Sequence, residues 1–492
     1  MAWLRNRVRA ARLLAVCACC ALVGGAAPTL AAPPPRPAPE PTTEAGRTLK
    51  SLLDTAALGS AATYAHLGLR AGAGVLLFYT HNDYQPIWTQ EAGWNQGATE
   101  ALELLAKAPE YGLCREDYQW KQLRGLPDSL RQLAGNRQRG PLLADFELRL
   151  TDALLRYGIH LRGGRRLAGT LAPEPAGSSS AEAASRLRTA LAAGSLAGFV
   201  AESEPTGRAY QQLRRAWAAA LAAACPEDSA RLLTGGQALF RQVAINLERL
   251  RWEAAPDSEY AVVNIPAFQL QLVRGGQVVQ THRVVVGKPE MPTPTLDSRI
   301  IVFVTSPEWR VPYSIAVNEL LPEIQRDPGF LADNDYELRN AANQRVNPWR
   351  VRWQRVTPET FHYTIRQTAG RSNALGRVVF YFPNRHTVFL HDTPARTVFS
   401  RPDRALSHGC VRLEKPLALA AYLLRREGTE ATLRPALSGP TRHEKRRFDL
   451  RRGLPVHFRY YTCAGENGQL RRYADIYGKD QALLDAFFPP QP

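Results

Sequence analysis

The chain has 492 residues, 45% of them hydrophobic and 22% charged, with a formal net charge of +17. That length holds two or three domains, and that composition is ordinary for a globular protein. The basic bias suits either a solvated arginine-rich surface or attraction to a polyanion, but an export-type N-terminus argues against nucleic acid as the partner.

Residues 1–32 read as a secretory signal. Arg5, Arg7, Arg9 and Arg12 make the positive region, Leu13 to Val23 is an apolar stretch too short to span a membrane comfortably, and Ala27 to Ala32 offers small residues for cleavage. Membrane contact is expected only through this segment, and the place of work is expected to be the periplasm or cell envelope. Cys17, Cys19 and Cys20 lie inside it. Four of the seven cysteines therefore remain in the mature chain, Cys114, Cys225, Cys410 and Cys463, which excludes a disulfide scaffold. An oxidising compartment would allow a Cys114–Cys225 bridge, which spacing alone does not establish. Residues 33–46, rich in proline from Pro33 to Pro41, read as an extended linker.

From 47 to 250 the pattern is helical. Ala101 to Leu105 favours helix, and Leu143, Phe146, Leu150, Leu154 and Tyr157 fall at helical spacing. Gly163-Gly164 and Gly177-Ser178-Ser179-Ser180 interrupt it, and Ala216 to Ala224 and Leu239 to Leu250 resume it. Nothing in this region has catalytic spacing.

At Tyr260 the period changes to two. Phe268-Gln269-Leu270-Gln271-Leu272 alternates, Gly275-Gly276 turns, and Val278 to Val286 returns as a hairpin. Arg299 to Val304 is a further strand. Residues 305–373 break the pattern with a helix near Val317 to Gln325 and asparagine-rich loops, where Trp309 and Trp349 fit either a groove wall or a core. Phe380 to Asn384 and Thr387 to Leu390 read as the strand pair that delivers His391. Pro416 to Leu424 is a helix. Residues 440–492 open with the basic run Arg442 to Arg447, expected as a solvated loop, and close as an extension packed on the preceding domain.

The segment that carries chemistry is Ser407-His408-Gly409-Cys410-Val411-Arg412, with His391-Asp392 before it; fifteen residues, 392–406, separate His391 from Ser407. A cysteine reacts as the thiolate and needs a base or a positive field beside it. His391 is placed to be that base. His408, two residues before Cys410, is expected on the same side, for substrate positioning or thiolate stabilisation. Gly409 lets backbone N–H groups approach a carbonyl, and the N–H of Cys410 with a neighbour suits an oxyanion hole. Arg412 is read as bracing the loop or binding a carboxylate in two-pronged fashion, with bracing favoured. Ser407 and Asp392 are supporting residues, the Asp392 side chain being assigned no role. A zinc site built from His391, His408, Cys410 and Cys463 lacks any close ligand pair, so no metal and no organic cofactor are expected.

This ordered set resembles the L,D-transpeptidase family, whose motif is a histidine followed at about this distance by Ser/Thr-His-Gly-Cys. Asn264-Ile265-Pro266-Ala267 and Val286-Gly287-Lys288-Pro289 look like the start of its catalytic domain. Phe78-Tyr79 through Pro86-Ile87-Trp88, Ala108 to Leu113, Tyr210 to Arg214 and Asn246-Leu247-Glu248-Arg249 resemble the scaffold of its large periplasmic members. Residues 217–245 are too few for the small wall-binding module such members often carry. The resemblance implies an α+β chain: a helical scaffold domain over 47–250, then a mostly-β catalytic domain over 258–436 with a capping insertion at 305–373. It implies that the carbonyl of Asp392 orients His391. It implies a donor tetrapeptide stem of peptidoglycan cut before its terminal D-Ala, an acceptor stem giving a 3→3 cross-link, and acylation by carbapenems. Water or a protein lysine as acceptor would give a carboxypeptidase or an anchoring enzyme by the same intermediate. A non-catalytic wall-binding protein is the alternative of another class.

Overall fold

The computed structural model describes residues 41–57, 64, 66–91, 93–132, 138–165, 179–224, 227, 230–231, 237–254, 257–438 and 444–489. The segment expected as an export signal, most of the expected linker, Cys225, Gly177-Ser178 and the start of the basic run lie outside the described residues. No helix among the described residues is long and apolar enough to cross a membrane.

The first described helix, α1 (Glu44–Ala57), begins inside the stretch expected as linker. The reason is local: the Thr43 hydroxyl accepts from the Gly46 N–H at 3.0 Å, which caps the first turn. Helix α2 (Gln96–Ala106) is capped in the same way, with Asn95 accepting from Ala98 N at 3.0 Å. Helix α3 (Arg139–Gly163) is the centre of the helical region and is buried around most of its circumference. Its Glu147 is fully buried. The carboxylate accepts from the backbone N–H groups of Trp88 at 2.8 Å and Thr89 at 2.7 Å and from the Tyr79 hydroxyl at 2.6 Å. A buried carboxylate survives only when satisfied in this way, and the result is to pin the Phe78–Trp88 stretch to α3. Helices α4 (Arg208–Ala223) and α5 (Ala238–Arg251) complete the region.

Nine strands form one sheet: β1 (Glu259–Asn264), β2 (Gln269–Arg274), β3 (Gln277–Gly287), β4 (Leu296–Thr305), β5 (Val378–Tyr381), β6 (Leu390–His391), β7 (Ala405–Ser407), β8 (Val411–Leu413) and β9 (Arg446–Arg459). The order is β7-β3-β8-β6-β5-β4-β9-β1-β2, and β2 also pairs with β3, so eight strands close into a ring with β7 appended. Closure removes the exposed edges of an open sheet. The pairs β6–β8, β7–β3 and β9–β1 are parallel and the others antiparallel. Helix α6 (Pro416–Glu427) adds buried Leu419 and Leu423 to the ring's core beside Leu390 and Val411.

Two expectations are corrected here. Residues 446–459, covering the end of the basic run expected as a solvated loop and the start of the tail expected to pack on the domain as an extension, are built into the sheet itself. They form β9, an interior strand between β4 and β1. Phe448 stacks on Phe303 at 4.7 Å, and Val456 and Phe458 are fully buried, so an alternating apolar face lies beneath the arginines. Thr387 to Phe389 are not strand. Thr387 has φ +54°, and the Asn384 side chain accepts from His386 N at 3.0 Å and Val388 N at 3.2 Å, which bends this segment into a turn before β6.

The chain leaves the ring after Thr305 and re-enters at Val378, two residues paired with each other across β4 and β5. Between them the insertion has its own core, including Ile324, Leu331, Leu338 and Ile365. It has a three-stranded sheet of Trp309–Arg310, Thr364–Gln367 and Tyr336–Arg339. Buried Asn373 ties its neck by donating to the carbonyls of Pro307 at 3.1 Å and Thr368 at 2.8 Å. Trp309 packs on Tyr336 within the insertion, whereas Trp349 is 67% exposed and belongs to no core.

Candidate active site

Strands β6 and β8 run parallel in the register Leu390↔Val411 and His391↔Arg412. Leu390 and Val411 are fully buried in the ring's core. Alternation puts the paired His391 and Arg412 on the opposite face, and the Phe389 carbonyl, accepting from Val411 N at 3.1 Å, brings Phe389 alongside Cys410 where the two strands begin. Tyr381 of β5 joins them, its ring 5.7 Å from that of Phe389, which in turn lies 5.6 Å from the His391 imidazole.

His391 is 6% exposed, and its Nδ1 lies 2.6 Å from the Asp392 carbonyl oxygen. A carbonyl only accepts, so Nδ1 carries the proton and Nε2 is left with a free lone pair. Burial, and then the Arg412 charge, lower the imidazole pKa to about 3. The ring is therefore neutral at physiological pH. Burial raises the Cys410 thiol above its ordinary value, while the Phe389 N–H and the Arg412 charge work the other way. At rest the pair is thiol and neutral imidazole rather than an ion pair.

The Ser407–Cys410 turn is closed on itself. The Ser407 hydroxyl donates to the Cys410 carbonyl at 2.6 Å and accepts from Gly409 N at 3.2 Å. Gly409 has φ +107°, a conformation closed to side-chain-bearing residues, although a Cβ there would meet nothing nearer than 3.8 Å. The requirement at 409 is conformational, not spatial. From outside, the Thr293 hydroxyl donates to the Gly409 carbonyl at 2.8 Å and accepts from Gly287 N at 2.9 Å. The Tyr477 hydroxyl donates to the Gly287 carbonyl at 2.6 Å and accepts from Thr293 N at 3.1 Å. Thr293 and Tyr477 thus hold the turn. Neither carries a motif signal in the sequence; only their tertiary contacts reveal them.

Three of the expected placements change. His408 engages the insertion: its Nε2 is hydrogen-bonded to Glu319, on the helical turn Ala316–Leu320. The left-handed backbone at Gly409 breaks the strand alternation that would have put His408 and Cys410 on one side. Arg412 does not brace the loop through its Nε, which is buried without a hydrogen-bond partner. A buried guanidinium nitrogen left unpaired is costly. The Asp392 side chain fixes the bend after β6, accepting from Arg377 N at 2.8 Å and Thr393 N at 2.7 Å and pairing with Arg396. As for the zinc set, Cys463 is buried in a separate core with Tyr461 and Phe488, whereas Cys410 packs on the ring.

Residues 258–435 match a family model described as an L,D-transpeptidase catalytic domain, and residues 73–216 match a scaffold-domain model. The chain is similar to a protein of Haemophilus influenzae named "Putative L,D-transpeptidase": 29% identity over 410 residues, covering 82% of this chain and 78% of that protein. A solved structure, L,D-transpeptidase from Mycobacterium smegmatis, aligns with 41% of this chain and 58% of its own at 14% identity and a TM-score of 0.20, too low a likeness to bear on fold or function.

Proposed function

We propose, from the match of residues 258–435 to an L,D-transpeptidase catalytic-domain model and the likeness to a relative of that name, that the chain works as an L,D-transpeptidase and that Cys410 carries an acyl transfer through a thioester. The observation that supports this most is the parallel pairing of β6 and β8, which sets His391 beside Arg412 and places Cys410 at the residue that enters β8. The donor is a peptidoglycan tetrapeptide stem. His391 Nε2 takes the thiol proton as the Cys410 sulfur attacks the carbonyl of the third residue. The C–N bond to the terminal D-Ala then breaks, and the imidazolium gives the leaving amine its proton. In the second half an acceptor amine attacks the thioester carbonyl, His391 receives the amine proton, the C–S bond breaks, and that proton returns to the sulfur. The Asp392 carbonyl keeps His391 in the one tautomer that serves both halves. The N–H of Cys410 with a neighbouring N–H receives the developing oxyanion, and the rigid Ser407–Gly409 turn holds that geometry.

Arg412, unpaired at Nε, receives a donor carboxylate. Residues 305–373 cap the site, a reading supported by the Glu319–His408 contact. The product is a 3→3 cross-link. The enzyme works in the periplasm or envelope, with residues 1–32 as its export signal, and carbapenems acylate Cys410. The helical region over 47–250 is a scaffold for this domain.

The test is the intact mass of residues 33–492 after incubation with a disaccharide-tetrapeptide, with Cys410→Ala beside it and the muropeptides read from the same tube. A dimer lacking one D-Ala, absent with the variant, is the expected result. Tripeptide alone would mean water is the acceptor. Dimer formed equally by Cys410→Ala would defeat the thioester mechanism.

A further inference from the structure

Two cavities lie in this part of the molecule, and they meet. The smaller, of about 530 Å³, is walled by Pro292, Thr293, His386, His408 and Gly409 and borders the catalytic turn. The larger, of about 1450 Å³, lies where α4 and the end of α5 face β1, β2 and the C-terminal tail. Thr295 and Lys479 line both. The two cavities therefore adjoin at Thr295 and Lys479, one beside the motif glycine and the other at the junction of the helical region and the ring.

The larger cavity has the chemistry of a built anion site. Arg251 is 1% exposed and lines it; its guanidinium pairs with buried Glu248 at 3.5 Å and donates to the Tyr111 carbonyl at 2.5 Å, while its buried Nε has no hydrogen-bond partner. Four carboxylates line the wall, and three are paired with cations: Glu253 to Arg459 at 2.8 Å, Asp297 to His457 at 2.5 Å, and Asp257 to Arg299 at 2.9 Å, while Glu466 accepts from the Tyr473 hydroxyl at 2.6 Å and its charge acts on Arg208. Arg208 instead donates to the Gln271 amide oxygen at 3.2 Å, and Lys479 Nζ lies over the rings of Tyr460 at 5.1 Å and Tyr477 at 5.8 Å. These two cations retain capacity for a carboxylate.

We propose that this junction cavity binds the carboxylate-bearing arm of the second peptidoglycan stem, the one whose amine attacks the thioester. The proposal rests on the acyl-transfer reading above. The donor occupies the face of Tyr381, His391 and Arg412, beneath the insertion. The paired cavities approach the same turn along the wall of Thr293, His408 and Gly409, so the two stems need not compete for one groove.

The experiment compares the wild type with Lys479→Glu/Arg208→Glu and with the milder Lys479→Gln. One readout is acylation of Cys410 by a carbapenem, followed by intact mass. The other is the ratio of cross-linked dimer to hydrolysed tripeptide from a disaccharide-tetrapeptide. Acylation is expected to stay within about twofold, while the ratio falls about tenfold in the double variant and less in Lys479→Gln. An unchanged ratio in both variants overturns the proposal. A second arm uses Cys410→Ala protein and a disaccharide-tripeptide, which has no bond to cut, titrated by calorimetry. Binding that weakens about tenfold on adding Lys479→Glu/Arg208→Glu supports the site without any turnover, and equal binding overturns it. Failure of the wild type to accept the carbapenem would instead count against the acyl-transfer reading, and the binding arm would still decide the cavity.

Discussion

At the residue scale, the proposed nucleophile and base are both held neutral by burial, and this has a kinetic signature. His391, with a pKa of about 3, does not change charge between pH 5 and 8, whereas the Cys410 thiol lies above its ordinary value. The reactive species is the thiolate, and its fraction grows as pH rises toward that raised pKa. The rate of Cys410 alkylation by iodoacetamide is therefore expected to climb steadily from pH 6 to 9, with no step where an ordinary histidine titrates. A plateau beginning near pH 7 would show an ion pair at rest. Arg412 pulls the thiol down and pushes the imidazole down with it. Replacing Arg412 with Ala removes the field that favours the thiolate, so alkylation at pH 8 should slow by about three- to tenfold. An unchanged rate would put the guanidinium outside the reaction field.

At the element scale, the Ser407–Cys410 turn is secured by contacts that no local pattern announces. Thr293 is 116 residues from Gly409 in sequence, Tyr477 is 184 from Thr293, and Glu319 is 89 from His408. The motif itself was readable because its chemistry is written in neighbouring residue types. The strand alternation of 268–286 and the helical spacing of 143–157 were readable for the same reason. The turn's supports were not, since a threonine or tyrosine hydroxyl is common and only the closed ring brings these to one place. The position of β9 was hidden too, because arginines on its outer face mask the alternation beneath. Tyr477→Phe deletes a hydroxyl that makes two hydrogen bonds and leaves the Thr293 N–H wanting a partner. The expected cost is about 1–3 kcal/mol in chemical denaturation, with turnover lowered as the Thr293–Gly409 contact loosens. Glu319→Ala is a different kind of test. It frees the insertion from His408 without touching the ring, so amide exchange should quicken across 313–326 and stay unchanged across 296–305. Equal protection in both segments would mean that the insertion is held without this contact.

At the scale of the whole molecule, the helical region, the ring and the tail share one seam. Buried Asn246 of α5 accepts from Thr462 N at 2.9 Å and donates to the Thr462 hydroxyl at 2.9 Å, and that hydroxyl donates to Asp480 at 2.7 Å. Arg249 pairs with Asp480 at 2.6 Å. Gly465 lies so close to α4 that a Cβ there would come within 2.1 Å of the Gln212 carbonyl. The tail enters the ring as β9 before it reaches this seam. Dividing the chain at the end of the matched catalytic region would therefore cut through the fold. A fragment of residues 258–438 lacks β9, which leaves β4 and β1 as unpaired edges and strips Phe303 of its stacking partner Phe448. Open apolar edges promote aggregation. The fragment is expected to be insoluble or to lack a cooperative melt, whereas residues 258–489 should recover the ring's circular-dichroism signature, with the exposed Tyr461–Cys463 seam limiting its solubility. A soluble, monomeric 258–438 with a sharp thermal transition would show that β9 is dispensable and that the ring closes in some other way.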